Sequence, residues 1–230
     1  MRIGIIGAGN IGGALAKRFA ALGHEVSVAN SRGPETLQDL ARESGAKAVT
    51  AAEAAKAGDV VVVTIPLRKV EGLAKLFDGV PDGVVVVDTN NYYPRQRDGR
   101  IADIEDGITE SRWVETQLKR PVVKAFNNIY AQHLLENGQP AGTAGRIALP
   151  VAGDDPAAKR TVMDLVEAIG FDPVDAGTID ESWRQQPATP VYTQDFDRAG
   201  VEKALKDASP ERKPEWRGTD ASPGTFENPA

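Results

Sequence analysis

Residues 2–13 read Arg-Ile-Gly-Ile-Ile-Gly-Ala-Gly-Asn-Ile-Gly-Gly, and this stretch constrains the fold more than any other. The apolar run at its front predicts a buried parallel strand. Gly7, Gly9 and Gly12 follow at G-x-G-x-x-G spacing, and Ile11–Leu22 then takes up a helical period. Each glycine has a physical task. Gly7 permits the tight turn out of the strand, Gly9 leaves the backbone open to a pyrophosphate, and Gly12 lets helix and strand pack closely. The helix start adds unpaired N–H groups and a positive dipole end, which together form a ready anion site. A strand, glycine turn and amphipathic helix in that order predict a dinucleotide-binding α/β fold.

The rest of the chain keeps the alternation. Glu25–Ala29 reads as the second strand, and Pro34 opens a helix over Glu35–Ser44 that Gly45 ends. A short strand at Ala48–Val49 leads to a capping box, Thr50-Ala-Ala-Glu53. The valine run in Asp59–Thr64 predicts a central strand buried on both faces. Leu67–Phe77 reads as helix, Val84–Asp88 as strand, Ser111–Leu118 as helix, Val122–Phe126 as strand and Ile129–Leu135 as helix. Ile147–Ala152 and Phe171–Asp175 complete about eight strands. Between them Asp154-Asp155-Pro156 starts a helix whose Val162, Leu165, Val166 and Ile169 share one face. The pattern predicts a Rossmann-type doubly wound, mainly parallel sheet with helices on both faces.

Two stretches break the rhythm. Asn90–Thr109 has no clear period and carries Arg95, Arg97 and Arg100. Its place after a strand's carboxyl end suits either a functional lid or a solvated excursion. Beyond Arg198 only Val201–Leu205 hints at helix, and prolines with the isolated aromatics Trp216 and Phe226 punctuate a polar tail. The expected organisation is one nucleotide-binding domain over residues 1–198, with a capping segment at 176–198. An extended tail over 199–230 follows, either mobile or strapped across the body or a partner in a homodimer.

A net charge of −6 argues against nucleic acid or an anionic membrane as the main partner. The apolar runs Val60–Val63 and Val84–Val87 are too short to span a bilayer. Met1 stands directly before the first strand, which leaves no room for a signal peptide and points to the cytoplasm. With no cysteine, disulfides, thiolate metal sites and a cysteine nucleophile are excluded. No metal-ligand spacing is present either.

The end of the second strand chooses between nucleotides. NAD-binding relatives of this fold place a carboxylate there for the ribose hydroxyls. Here the chain reads Ala29-Asn30-Ser31-Arg32-Gly33, with no acid. Ser31 and Arg32 can instead hold a 2′-phosphate by charge-assisted hydrogen bonds, which favours NADP(H).

Gly7-Ala-Gly-Asn-Ile-Gly-Gly13, Leu22-Gly-His-Glu-Val26, Ser31-Arg32, Val63-Thr-Ile-Pro66, Val123-Lys-Ala-Phe-Asn127, Val151-Ala-Gly-Asp-Asp155 and Asp175-Ala-Gly177 occur in order over residues 1–180. In combination they resemble the NADPH-dependent oxidoreductases of coenzyme F-420, an 8-hydroxy-5-deazaflavin. The same fold forms the cytoplasmic domain of certain membrane ferric reductases. The resemblance implies hydride transfer between NADP(H) and coenzyme F-420 or a flavin-like co-substrate. It implies that Ala8, Asn10 and Ile11 line the pyrophosphate turn beside Gly7, Gly9 and Gly12, and that Ser31 and Arg32 hold the 2′-phosphate. Thr64, Ile65, Pro66 and Ala125 would flank the nicotinamide. Phe126 and Asn127 would border the acceptor pocket, with Asn90 and Trp183 as further candidates there. The chain departs from the family on the acceptor side, at Asn90-Asn-Tyr-Tyr93, Ser182-Trp-Arg-Gln-Gln-Pro187 and Thr189-Pro-Val-Tyr192.

Hydride transfer needs two aligned planar rings more than an acid or base, so no catalytic side chain is assigned. His24 and His133 are expected to be structural or solvated. Lys124 reads either as a strand-end surface charge or as a group reaching a reacting carbonyl, and Arg68 and Lys69 either as anion contacts or as a solvated helix start. Trp183 and Tyr192 either stack on a flat ring or close the sheet. Two other readings share the amino-terminal half: a β-hydroxyacid or imine dehydrogenase, and a module that senses NADPH without turnover.

Overall fold

Strand β1 (Arg2–Ile6) lies near the middle of a parallel sheet because its alternate residues must bury on two faces. It pairs with β2 (Glu25–Ala29) on one side, and the glycine turn feeds α1 (Asn10–Ala21) back across the sheet. The computed structural model describes residues 1–56, 58–211 and 224–229. A 3₁₀ turn at Pro34–Leu37 runs into α2 (Gln38–Ser44), which ends at Gly45 with a left-handed backbone, and β3 (Lys47–Ala48) forms the edge. The Thr50–Glu53 capping box starts α3 (Ala51–Ala55). The chain then crosses to β4 (Val60–Val63), on the other side of β1, and continues to β5 (Val85–Asp88).

Among the described residues the six-stranded sheet has the order β3-β2-β1-β4-β5-β6, with β6 at Val123–Lys124. The winding therefore reverses between β1 and β4, and the carboxyl ends of strands at such a switch point are where this topology forms its ligand crevice. Burial of the central valines follows the pleat. Val60 and Val62 join Leu15 and Phe19 of α1 in one apolar cluster, whereas Val61 and Val63 join Phe77, Trp113 and Tyr92 in the other.

Several elements differ from the sequence reading. Leu67–Phe77 is not one helix but two 3₁₀ turns, Leu67–Val70 and Leu73–Phe77, because Glu71 is extended and Gly72 takes a φ of 83°. In Val122–Phe126 only two residues pair, since Phe126 leaves the sheet with a φ of 61°. The 90–109 segment contains a π-type turn at Pro94–Asp98 and α4 (Ala102–Glu105), followed by α5 (Glu110–Leu118). The Tyr92 hydroxyl organises it, accepting from Ile101 N at 2.9 Å and donating to Gly99 O at 3.0 Å.

After α6 (Ala131–Glu136), β7 (Ala148–Val151), α7 (Pro156–Ala168) and β8 (Asp172–Asp175) build a separate two-stranded parallel sheet. An antiparallel bridge between Lys124 and Ala152 joins it to β6. The expected eight strands are thus present, six in one sheet and two in the other. A 3₁₀ segment, Ile179–Gln185, precedes α8 (Arg198–Asp207), which is twice the length of the Val201–Leu205 hint. It buries Val201, Ala204 and Leu205 in a cluster with Ala148 of β7 and Val174 of β8. Gly224 O and Phe226 O accept from Arg95 Nε (3.0 Å) and Arg100 N (3.2 Å), so residues 224–229 lie against the 95–100 turn. Trp216, Pro214 and Pro223 fall outside the described residues.

Candidate functional site

At the carboxyl ends of β1 and β4 the backbone is packed so tightly that two glycines are obligatory. A Cβ on Gly7, whose φ is 117°, would stand 2.0 Å from Thr64 O, and one on Gly12 would stand 1.9 Å from Gly7 O. Gly9 is the contrast: it is exposed, and a Cβ there would meet nothing within 4 Å. Helix α1 starts at that open point with no side-chain cap and no acid in its first turn. Its leading N–H groups and dipole end therefore face open space, which fits a pyrophosphate. Ala8 and Ile11 pack against the core, and Asn10 is exposed beside them.

At the end of β2 the turn is set by Asn30, a residue the sequence reading passed over. Its Oδ1 accepts from Arg32 N at 2.9 Å and its Nδ2 donates to Thr36 Oγ1 at 2.8 Å. Ser31 and Arg32 are exposed, and among the described residues Arg32 has no ion-pair partner. An exposed guanidinium beside an exposed serine suits an incoming phosphate.

On the other side of the crevice, Thr64, Ile65 and Pro66 are half-buried at the point where β4 stops. Ala125 is fully buried beneath the edge. Phe126 differs from expectation: it is also fully buried, and its ring packs edge-on against Phe19 with centroids 6.5 Å apart. Its positive φ turns the ring into the core rather than toward a pocket. Asn127 sits in a polar network. It donates to Asn91 Oδ1 at 2.9 Å and to Gln185 O at 2.7 Å, and accepts from Gln185 Nε2 at 2.9 Å. Asn91 Nδ2 returns a bond to Asn127 O at 2.8 Å. The Tyr93 and Tyr192 hydroxyls bond to each other nearby, and burial raises both phenols above their ordinary range. Trp183 is placed elsewhere. With Ile108, Pro187 and Thr189 it lines a cavity of about 510 Å³ that includes none of the glycine-turn or strand-end residues, and Arg184 stacks over its ring.

Beneath the crevice lies a charge cluster that the sequence did not reveal. Asp88, Glu110 and Lys124 are each fully buried. Lys124 Nζ stands 3.4 Å from Asp88 Oδ2 and 3.6 Å from Glu110 Oε2, and also donates to Asn90 O. Ser111 Oγ donates to Asp88 Oδ2 at 2.7 Å. Lys124 is thus not a surface charge; it is sealed among these partners rather than free to reach a reacting carbonyl. Burial pushes the Glu110 carboxyl up to about 7, against the pull of Lys124. Arg68 is likewise structural, donating to Asp98 O at 2.9 Å. His133 pairs with Asp195 at 2.7 Å, and partial burial lowers His24. Among the described residues no helix is long and apolar enough to cross a membrane.

Residues 2–92, from the glycine turn to just past β5, match the family model described as NADP oxidoreductase, coenzyme F420-dependent. The protein YjhV of Escherichia coli K12 is 44% identical over 91 residues, which are 40% of this chain and 59% of that protein. The rat metalloreductase STEAP3 is 29% identical over 191 residues, 83% of this chain and 36% of the relative. This chain thus spans less than two thirds of either relative. Among solved structures, the hypothetical protein SMa0349 of Sinorhizobium meliloti is 32% identical and superposes with a TM-score of 0.71, over 86% of this chain and 96% of that one. The glycine turn, the reversed strand order and these matches agree: the chain belongs to the NADP oxidoreductase, coenzyme F420-dependent family.

Proposed function

We propose that the protein binds NADP(H) across the carboxyl edge of its sheet and transfers hydride between it and a flat acceptor of the deazaflavin or flavin class. The observation that carries this reading is the open N-terminus of α1 at Gly9, flanked at β2 by the exposed Ser31 and by Arg32, which has no ion-pair partner among the described residues. In this account the α1 amides hold the pyrophosphate, with Ala8, Asn10 and Ile11 around it, and Ser31 and Arg32 take the 2′-phosphate. Thr64, Ile65 and Pro66 form the wall against the nicotinamide, with Ala125 packed behind it. Asn90 lies at the polar edge on the acceptor side, and Asn127, its amide committed to Asn91 and Gln185, braces that edge from behind. Phe126 and Trp183, turned to the core and to the separate cavity, drop out of that pocket.

When bound, the nicotinamide supplies the hydride; the protein aligns two rings and keeps water away. Lys124, the strand lysine that could have reached a reacting carbonyl, is enclosed in an ion cluster and is given no chemical role here. The absence of cysteine suits a reducing, cytoplasmic setting.

Arg32→Ala tests the cofactor assignment. Loss of a charge-assisted contact is worth about 1.5–3 kcal/mol, so NADPH should bind roughly tenfold to a hundredfold more weakly while NADH changes by no more than about twofold. Equal weakening of both nucleotides would sink the 2′-phosphate role of Arg32. The measurement is fluorescence titration with each nucleotide.

A further inference from the structure

A directional chain of hydrogen bonds runs along the acceptor side and ends on a hydroxyl. Gln185 Nε2 donates to Asn127 Oδ1 at 2.9 Å, and Asn127 Nδ2 donates to Asn91 Oδ1 at 2.9 Å. Asn91 Nδ2 donates in turn to Asn127 O at 2.8 Å and to Tyr93 Oη at 3.4 Å. The Asn91 amide is thereby fixed in one orientation, and the Tyr93 oxygen receives from it. A phenol that accepts on its oxygen is polarised to donate its own proton, so Tyr93 passes the chain on to the Tyr192 hydroxyl bonded to it. Two phenols carry two O–H protons, and their mutual bond uses one. Among the described residues the other, on Tyr192, has no acceptor. Both residues are half-buried rather than sealed, and burial raises both phenols, which keeps them in the donating, protonated form.

The surroundings hold this end still. Arg97 lies over the Tyr93 ring, 5.2 Å from its centroid, and donates to Asn91 O at 2.8 Å. Thr193, next to Tyr192, takes a φ of 57° and donates its N–H to Asn128 O at 2.8 Å. A β-branched residue in that conformation is strained, and such strain collects where a site needs a side chain aimed. Tyr93 and Tyr192 also belong to the two segments, 90–93 and 189–192, in which the chain departs from its family.

We infer that Tyr192 is a catalytic residue whose free O–H binds an oxygen of the acceptor, and that Tyr93 and Asn91 are positioning residues that aim it. This deepens the hydride-transfer reading and rests on it. The acceptor is then a ring with a carbonyl conjugated to the carbon that takes the hydride, as in a deazaflavin or flavin. Hydride arriving from NADPH forms the new C–H bond and pushes an electron pair towards that oxygen. A neutral donor already in place stabilises the charge as it develops, and no proton leaves the tyrosine. The reduced ring takes its proton from water afterwards. The polarity of the chain makes Tyr192 a stronger donor than a lone phenol.

The test uses the intact protein, NADPH and an oxidised 8-hydroxy-5-deazaflavin, run in parallel with a free flavin. Tyr192→Phe keeps the ring and removes the donor, so hydride transfer in a single turnover should slow about tenfold to hundredfold. Acceptor binding to the NADP⁺-saturated protein should weaken about threefold, the equivalent of one hydrogen bond, and NADPH affinity should stay within about twofold. Tyr93→Phe leaves the Tyr192 O–H in place but unaimed, so the rate should fall about threefold to tenfold, again with NADPH affinity unchanged. A purely structural role would lower NADPH and acceptor affinity together and leave the rate of the bound complex alone. That result, or a Tyr192→Phe variant that transfers hydride at the wild-type rate, would overturn the inference while leaving the hydride reading intact. A wild type that binds NADPH yet reduces neither acceptor would overturn that reading, and this inference with it.

Discussion

Gly12→Ala is expected to destabilise the protein by roughly 3 kcal/mol or more, and Gly9→Ser to leave stability within about 1 kcal/mol while abolishing dinucleotide binding. The two glycines belong to one motif, but their surroundings are opposite. At Gly12 a methyl group would stand 1.9 Å from a backbone oxygen and 2.8 Å from the Thr64 side-chain methyl. Relief requires α1 to lift away from β1, and α1 brings Leu15, Ala16 and Phe19 into the core. At Gly9 a side chain meets nothing within 4 Å, and the backbone (φ −77°, ψ −164°) suits any residue. A serine in that N-cap position would satisfy the helix amides itself and fill the space a pyrophosphate needs. Urea unfolding and NADPH titration read the two effects separately. A harmless Gly12→Ala, or a Gly9→Ser that binds NADPH as wild type, would contradict the assigned roles.

The second large effect comes from the buried cluster. Lys124→Ala should cost about 3–5 kcal/mol, because it leaves Asp88 charged, buried and facing no cation. The loss should also depend on pH through Glu110. Its folded-state pKa of about 7 lies above the ordinary 4.5, so the folded protein holds that proton more tightly than the unfolded chain. The group's contribution is complete below about pH 4.5 and is lost as pH rises through about 7. Removing Lys124 takes away the cation 3.6 Å away that pulls this pKa down, so the variant should suffer more at pH 8 than at pH 5. Glu110→Gln, which cannot titrate, should flatten that part of the wild-type slope. Denaturant curves of the three proteins at both pH values provide the check; a Lys124→Ala variant as stable as wild type would mean the pair is not a unit.

The outline of the fold was legible because its determinants are local and periodic. The valine run of β4, the glycine turn and the Asp155–Pro156 helix start each declare themselves within a few residues. Leu67–Phe77 misled because its apolar spacing suits a helix, yet Gly72 takes a left-handed conformation that breaks it. The proposed phosphate end of the cleft rests on equally local features, since Gly9, Ser31 and Arg32 follow strand ends directly. The acceptor end does not. Lys124 looked like an exposed strand end because its partners, Asp88 and Glu110, come from β5 and α5, and only packing brings them together. Phe126 lay in a matching motif, but a positive φ that no pattern announces turned its ring inward.

The hydride transfer itself is tested most directly with NADPH deuterated at its transferring carbon. The protein is mixed in turn with an oxidised 8-hydroxy-5-deazaflavin, free flavins, ferric chelates and small keto acids, following nicotinamide absorbance and the fate of the label. The account predicts NADPH oxidation with the deazaflavin or a flavin, and deuterium delivered to the ring carbon of the reduced deazaflavin. NADPH binding without turnover of any acceptor, or turnover with a keto acid alone, would contradict it.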